Sequence, residues 1–432
     1  MFHMEHCSTV CSDKSRGDTD PLRICLIGAA NLSNNPRLLR EADLLSQQHE
    51  VRVVCQGTSR ASAEADARLL ARRSWRLQRV DHPRADWMPS EIFRSHWLQS
   101  VLVRGRRRLA EEAFRYIKSA GLAEYSVCAS RSELEKLACS ERADWFIAHT
   151  QPALPAAAAA ARKWEARLGF DCEDLLAETG DKFCEANRLI ERKYLPQCDS
   201  ITATSNAMAE NLANAYSIPR PVVLYNVFPL SLVEGIVPPA QRRAHSKLRL
   251  YWVSQTIGPD RGIQDAFQAC AGLTDHIEIH LRGRLSEPHK RELIASAEQW
   301  GVAGCINLHP VIHRDELFRS MAEYDVGLAL ERPQNRNHGL TASNKIFSYL
   351  LVGLAVAATD TPGQHEVMEH SPGAGFLYTS GDTKCLRAAL ECWIGDREQL
   401  WQAQQAAWDV ARSRFCWDIE QKTFLELLNR SA

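Results

Sequence analysis

The loop Glu331-Arg-Pro-Gln-Asn-Arg-Asn-His-Gly-Leu-Thr-Ala-Ser-Asn-Lys345 follows the apolar run Val326 to Leu330 and leads into a stretch with helical spacing. Ser343 suits an N-cap, which puts Asn344 and Lys345 in the first turn of that helix. Free backbone N–H groups and the positive end of the helix dipole attract an anion there, such as a diphosphate. A lysine in that turn opposes the dipole, so its presence fits a phosphate better than a solvated surface charge. A second loop, Ser254-Gln-Thr-Ile-Gly-Pro-Asp-Arg261-Gly262, also leads from a strand-like run to a cation. The planar arginine fork matches phosphate geometry. Two cationic loop ends in one region are what a single diphosphate site requires.

Further candidates lie in the first half of the chain. The loop from Ala29 to Arg37 supplies Asn31, Asn35 and Arg37, with Pro36 suited to open a helix. It has Gly28 but no G-x-G-x-x-G, which argues against a dinucleotide fingerprint. His149 ends one apolar run, and Asp171, Glu173 and Asp174 follow the next. Such groups orient an acceptor hydroxyl or act as a base. Equally, the histidine can hydrogen-bond a sheet edge and the carboxylates can cap a helix. Between Met88 and Lys118, apolar Phe93, Trp97, Val101 and Leu102 alternate with Arg94, Arg104, Arg106, Arg107 and Arg108. The segment Phe93 to Arg115 is a candidate for peripheral contact with an anionic membrane, or a pair of helices with a solvated basic side. Nothing aromatic is interleaved with the arginine run itself, so no nucleic-acid partner is expected. No Asp-x-Asp pair lies in a convincing loop and no metal is expected.

These residues need elements to hold them. Arg23 to Gly28 and Val51 to Cys55 read as strands around a helix beginning at Pro36, a βαβ unit that implies a parallel sheet. Trp145 to Ala148, Arg167 to Phe170 and Ser200 to Thr204 continue it. After a Pro/Gly-rich stretch the alternation restarts with strands at Leu248 to Val253, Ile277 to Leu281, Ile306 to Leu308, Val326 to Leu330 and Ala355 to Ala358. The 432 residues thus divide into a tail (1–21), a Rossmann-like domain (22–228), a linker (229–247), a second such domain (248–405) and a C-terminal segment (406–432) long enough to reach back across the junction. In doubly wound sheets ligands bind beyond the carboxyl ends of the strands, so two in series make a cleft. The 52 basic and 53 acidic side chains leave a net charge of -1, which removes any global electrostatic argument for nucleic acid. Fourteen cysteines are scattered without a C-x-x-C pair, as in a reduced, cytoplasmic protein, and no apolar run reaches the ~18 residues of a membrane span.

At these residues the chain resembles the retaining glycosyltransferases of the GT-B fold, over roughly residues 22–430. The resemblance is carried by Asn35-Pro-Arg-Leu-Leu-Arg-Glu-Ala, Tyr225-Asn226, Asp260-Arg261-Gly262, Ala322-Glu-Tyr-Asp-Val-Gly-Leu328, Ser343-Asn-Lys-Ile-Phe-Ser-Tyr-Leu350, Gly353-Leu-Ala-Val356 and Thr359-Asp-Thr-Pro-Gly363. It implies an α/β architecture of two facing Rossmann-like domains and transfer of a sugar from a nucleoside-diphosphate-sugar to the hydroxyl of a glycan, lipid or small molecule. Under it Arg261, Gly262, Ser343, Asn344 and Lys345 hold the donor diphosphate, Pro310 and Val311 meet the nucleobase, and His149 stands near the transferred sugar. Asn31, Asn35, Arg37, Glu173 and Asp174 fall on the acceptor side. The chain departs from the family pattern at Ser348, where a ribose-binding glutamate is usual, and at Gln255, where a second arginine is common. Glu331 is a possible substitute for the missing carboxylate. A non-catalytic protein of the same fold and a nucleotide-sugar epimerase are the alternatives these departures leave open.

Overall fold

The apolar runs become strands of two fully parallel sheets in a computed structural model that describes residues 21–57, 60–71, 73–81, 90–258 and 261–430. The first sheet contains β1 (Arg23–Gly28), β2 (Glu50–Gly57), β3 (Arg76–Asp81), β4 (Trp145–His149), β5 (Arg167–Cys172), β6 (Ser200–Ala203) and β7 (Val222–Val223), in the order β3-β2-β1-β4-β5-β6-β7. The second contains β8 (Leu248–Thr256), β9 (Ile277–Arg284), β10 (Ile306–His309), β11 (Val326–Ala329), β12 (Ala355–Thr359) and β13 (Gly375–Tyr378), in the order β10-β9-β8-β11-β12-β13. Helices cover both faces of each sheet, which explains strands such as β4, β11 and β12 that are buried throughout, and β1, which is buried from Ile24 onward.

Winding reverses between β1 and β4 in one sheet and between β8 and β11 in the other. Loops after neighbouring strands part at such points and open a crevice. The segments that follow β1, β4, β8 and β11 carry Asn31 to Arg37, Thr150 onward, Arg261 with Gly262, and Glu331 to Ser343, so these expected site residues gather at two switch points, while Glu173 and Asp174 follow β5 and Pro310 and Val311 follow β10.

Each sheet has its own core, and a third apolar cluster runs from one domain into the other. In it the rings of Tyr225, Phe347 and Phe415 lie 5.4–5.7 Å apart. The C-terminal helix Trp417–Arg430 returns to the first domain, with Tyr225 N donating to Glu420 Oε1 at 2.6 Å and Trp417 N to Phe228 O at 3.0 Å. The segment Met88 to Lys118 contains a single helix, Ser90–Tyr116, instead of a pair; Met88 and the side chains of Phe93, Arg94 and Trp97 lie outside the described residues. Among the described residues no helix is long and apolar enough to cross a membrane, and twelve cysteines are free thiols.

Candidate functional site

A cleft of about 770 Å³ opens between the carboxyl ends of the two sheets. The second domain contributes Gln255, Arg261, Arg282, Val311, Arg314, Glu331, Ser343, Asn344, Lys345 and Ser348; the first contributes Asn34, Arg40, Glu173, Asp174 and Thr204. Five cations, Arg40, Arg261, Arg282, Arg314 and Lys345, face the three carboxylates of Glu173, Asp174 and Glu331. Such a surplus of positive charge in a concave site favours a polyanion.

Ser343 caps the helix Asn344–Val352, its Oγ accepting from Lys345 N at 3.4 Å and donating to Glu331 Oε1 at 3.0 Å. Lys345 Nζ forms a very short ion pair with Glu331. Burial disfavours the Glu331 carboxylate, but Lys345 outweighs this and holds it below the usual range. The helix is fixed behind them by buried Ile346, Phe347, Tyr349 and Leu350. Tyr349 lies flat over β11 because position 327 is glycine; a Cβ there would stand 2.1 Å from the ring. Gly262 has a similar role: φ is +73°, and a Cβ would meet Leu330 O at 2.1 Å. Only glycine lets this loop press on the end of β11 and bring Arg261 to the cleft. Gly262 itself does not line the cleft, and neither does Pro310, whose carbonyl accepts from Arg282 Nη1 at 2.8 Å; Val311 does, half exposed. The Ser348 hydroxyl is turned back onto Asn344 O at 2.9 Å. Asp260 lies outside the described residues.

The first domain's polar residues are arranged in depth. Arg37 is buried and forks onto Asp171 at 2.6 and 2.7 Å, with a third bond to Leu224 O at 2.7 Å. His149 has no exposed surface; Nε2 is 3.2 Å from Glu41, and Nδ1 is 3.3 Å from both Asp171 and Glu173. Burial disfavours the imidazolium, but Glu41, Asp171 and Glu173 outweigh it and hold the ring protonated well above its usual range. Glu41, His149 and Asp171 each bring one ligating atom within 4.8 Å of the others. The charges of this trio are balanced by Arg37 and the imidazolium itself, an ion-pair network that leaves the donors turned to those cations. Asn35 caps the helix Pro36–Leu45 through Leu38 N at 2.9 Å and donates to Glu173 Oε1 at 2.6 Å. Asn31, Asn35, Arg37 and His149 therefore stand behind the cleft wall, whereas Glu173 and Asp174 reach the surface.

Arg40, Arg282 and Arg314 are cleft features that residue spacing did not single out, and within the loop Glu331 to Lys345 the side chains of Asn337 and His338 also line the cleft. Arg40 sits between the rings of Phe228 and Trp417, 5.6 Å from each, and burial with the nearby Arg314 pulls its guanidinium down to about 9. Asn337 bridges the domains, accepting from Leu175 N at 2.7 Å and donating to Asp174 Oδ1 at 3.1 Å.

Residues 36–226 match the glycosyl transferase 4-like domain family. Over 95% of its length the chain superposes on all of Anabaena HepE, solved with UDP and with UDP-glucose, at 16% identity and a TM-score of 0.67 and 0.66. The chain has the GT-B fold. Sucrose-phosphate synthase from Thermosynechococcus elongatus is similar in the same way, with 12% identity, 95% and 98% coverage and a TM-score of 0.66. The lipopolysaccharide outer core galactosyltransferase WaaB matches at 14% identity, 95% and 100% coverage and 0.56. No curated protein sequence matches. The GT-B architecture expected from the sequence is thus present, and its first domain is the part that the family match covers.

Proposed function

We propose that this GT-B protein transfers a sugar, of the hexosyl class, from a nucleoside-diphosphate-sugar to an acceptor hydroxyl with retention of configuration. The observation that carries the reading is Lys345, set with Ser343 and Asn344 at a helix N-terminus and facing Arg261 across the donor end of the cleft. As the acceptor oxygen bonds to the sugar and the bond to the diphosphate breaks, these groups meet the charge growing on the leaving group, and the reading assigns no metal to that task. On the acceptor side Glu173 presents a carboxylate whose Oε1 is held by Asn35 and His149, while Oε2 has no partner among the described residues. It is placed to take the hydrogen bond of an acceptor hydroxyl, and His149 acts as its positioning residue. HepE has been solved with UDP and UDP-glucose, which makes these the first ligands to titrate. Binding of UDP followed by donor turnover that survives a chelator supports the reading. UDP binding without turnover over glycan and lipid acceptors favours the non-catalytic alternative, which Ser348, with its hydroxyl turned away, supports; interconversion of the sugar without an acceptor marks an epimerase.

The acceptor class bears on location, which the reading takes as cytoplasmic with peripheral membrane contact. Leu102, Leu109 and Tyr116 are 69%, 73% and 81% exposed and recur every seventh residue, so they form one column on the helix Ser90–Tyr116, while exposed Arg104, Arg108 and Arg115 fall on the other side of the helix. An exposed apolar stripe on a helix whose other side is basic suits a glycan or lipid acceptor carried on a membrane. Flotation with vesicles containing phosphatidylglycerol, lost in L102E/L109E, is the expected result; flotation unchanged by those substitutions removes this surface from the reading.

A further inference from the structure

A second cavity, of about 450 Å³, opens at the opposite end of the second sheet from the cleft, beside the first residues of β8 and the segment that enters β11. Its remaining walls are the connecting segment 237–245 and the start of the helix Arg397–Ser413. Arg243, His245 and Arg397 line it with no ion pair among the described residues, and Arg242 and Arg249 add two more basic side chains, the latter already 3.2 Å from Glu278. Two carboxylates oppose them. Asp325 is buried and directed inward, accepting from Arg249 N at 2.8 Å, within electrostatic reach of His245 and Arg397; Glu323 stands exposed at the edge. Arg397 occupies the first position of its helix, where the dipole disfavours a cation. One turn on, Trp401 exposes 38% of its surface, and Val237 exposes 49%. An apolar wall beside basic side chains that outnumber the carboxylates, three of them in no ion pair among the described residues, is the lining of a site for an amphipathic anion, and the volume suits a small molecule.

We propose that this cavity binds a small organic anion, its phosphate or carboxylate held by Arg243 and Arg397 and its apolar part laid on Trp401, and that occupancy alters the cleft. The connection is one helix. Arg242, next to Arg243, donates to Gly353 O at 3.0 Å and to Val352 O, closing the C-terminal end of the helix whose first turn holds Ser343 and Lys345. A ligand that clamps the connecting segment acts on that anchor. The site stands independently of whether the cleft transfers sugar.

Calorimetric titration of the full chain with inorganic pyrophosphate and, separately, citrate tests the site and distinguishes phosphate from carboxylate. At least one probe is expected to bind the wild type and K345A equally and to bind R243Q/R397Q at least tenfold more weakly. Ala244→Trp, which fills the cavity from an exposed position, produces the same loss without changing charge. Absence of binding by both probes in K345A, or binding in K345A that survives the further substitutions R243Q/R397Q, overturns the proposal, the first because the cleft alone then takes the anion. With the bound probe saturating, the Kd for UDP shifts at least threefold in the wild type and not in R243Q/R397Q; an unchanged Kd overturns the coupling.

Discussion

Lys345 and Glu331 neutralise each other in the cleft, so under the proposed function an incoming diphosphate competes with a carboxylate already in place. Two opposite outcomes follow. Lys345→Ala removes a charge-assisted contact and weakens UDP by about tenfold to a hundredfold, on the order of 1.4–2.7 kcal/mol. Glu331→Gln removes the competitor and tightens UDP; calorimetry checks both, and weakening in both variants would show that Glu331 contacts the ligand itself. Behind the acceptor wall, His149→Gln leaves Glu41 and Asp171 short of a cation, which costs about 3–5 kcal/mol. The folded-state pKa of His149 is raised, so its contribution is fully present below the unfolded value of about 6.5 and is lost as pH rises through the folded value. Melting temperatures between about pH 6 and 10 are therefore expected to fall toward the alkaline side in the wild type, with that component absent from His149→Gln.

The helix Asn344–Val352 delivers Lys345 only because its packing on β11 is tight, and Gly327 is where that packing is most sensitive. A methyl group at position 327 collides with the Tyr349 ring. Gly327→Ala should cost about 1–3 kcal/mol in denaturant unfolding and should weaken UDP as well, since relief of the clash displaces the helix start. Unfolding at the wild-type midpoint would show that the ring has room to move. The start of this helix was legible in the sequence, because its cap and the apolar spacing after it agree. Strands buried on both faces were legible for the same reason, as short apolar runs with loops after them. β3, β7 and β13 were not: they lie toward the sheet edges, and β3, Arg-Leu-Gln-Arg-Val-Asp, carries too many polar residues to stand out as an apolar run. That Arg261, Ser343, Asn344 and Lys345 line one cleft could be read because these residues are contiguous with the strands that position them. The depth of Arg37 and His149 could not, because a polar residue after a strand looks the same whether it faces the cleft or a partner such as Asp171, 134 positions from Arg37. Arg282 was hidden differently, since β9 extends to Arg284, past the end of its apolar run.

Across the whole molecule the cleft is held between domains by contacts made at loop tips and helix ends. The helix Asn206–Tyr216 of the first domain begins on a carboxylate of the second: Asn206 N lies 3.0 Å and Ala207 N 3.3 Å from the oxygens of Glu366. Ser205 Oγ donates to Leu340 O at 2.5 Å and Asn335 Nδ2 to Thr179 O at 2.9 Å, so the same loop that ends at Lys345 is tied to the acceptor wall. A negative charge at a helix N-terminus is favourable for the dipole and for the unpaired N–H groups, and here that benefit exists only while the domains stay together. Glu366→Ala should therefore weaken the closed arrangement by about 1–2 kcal/mol and leave each sheet's own core unchanged. Small-angle scattering is expected to report a larger radius of gyration for the variant, the melting temperature moving little and the affinity for UDP falling less than in Lys345→Ala. Glu366→Gln, which keeps one acceptor oxygen, should lie between the variant and the wild type. A melting temperature that collapses with no change in size would mean that the Glu366 cap supports the first domain's fold and not its approach to the second.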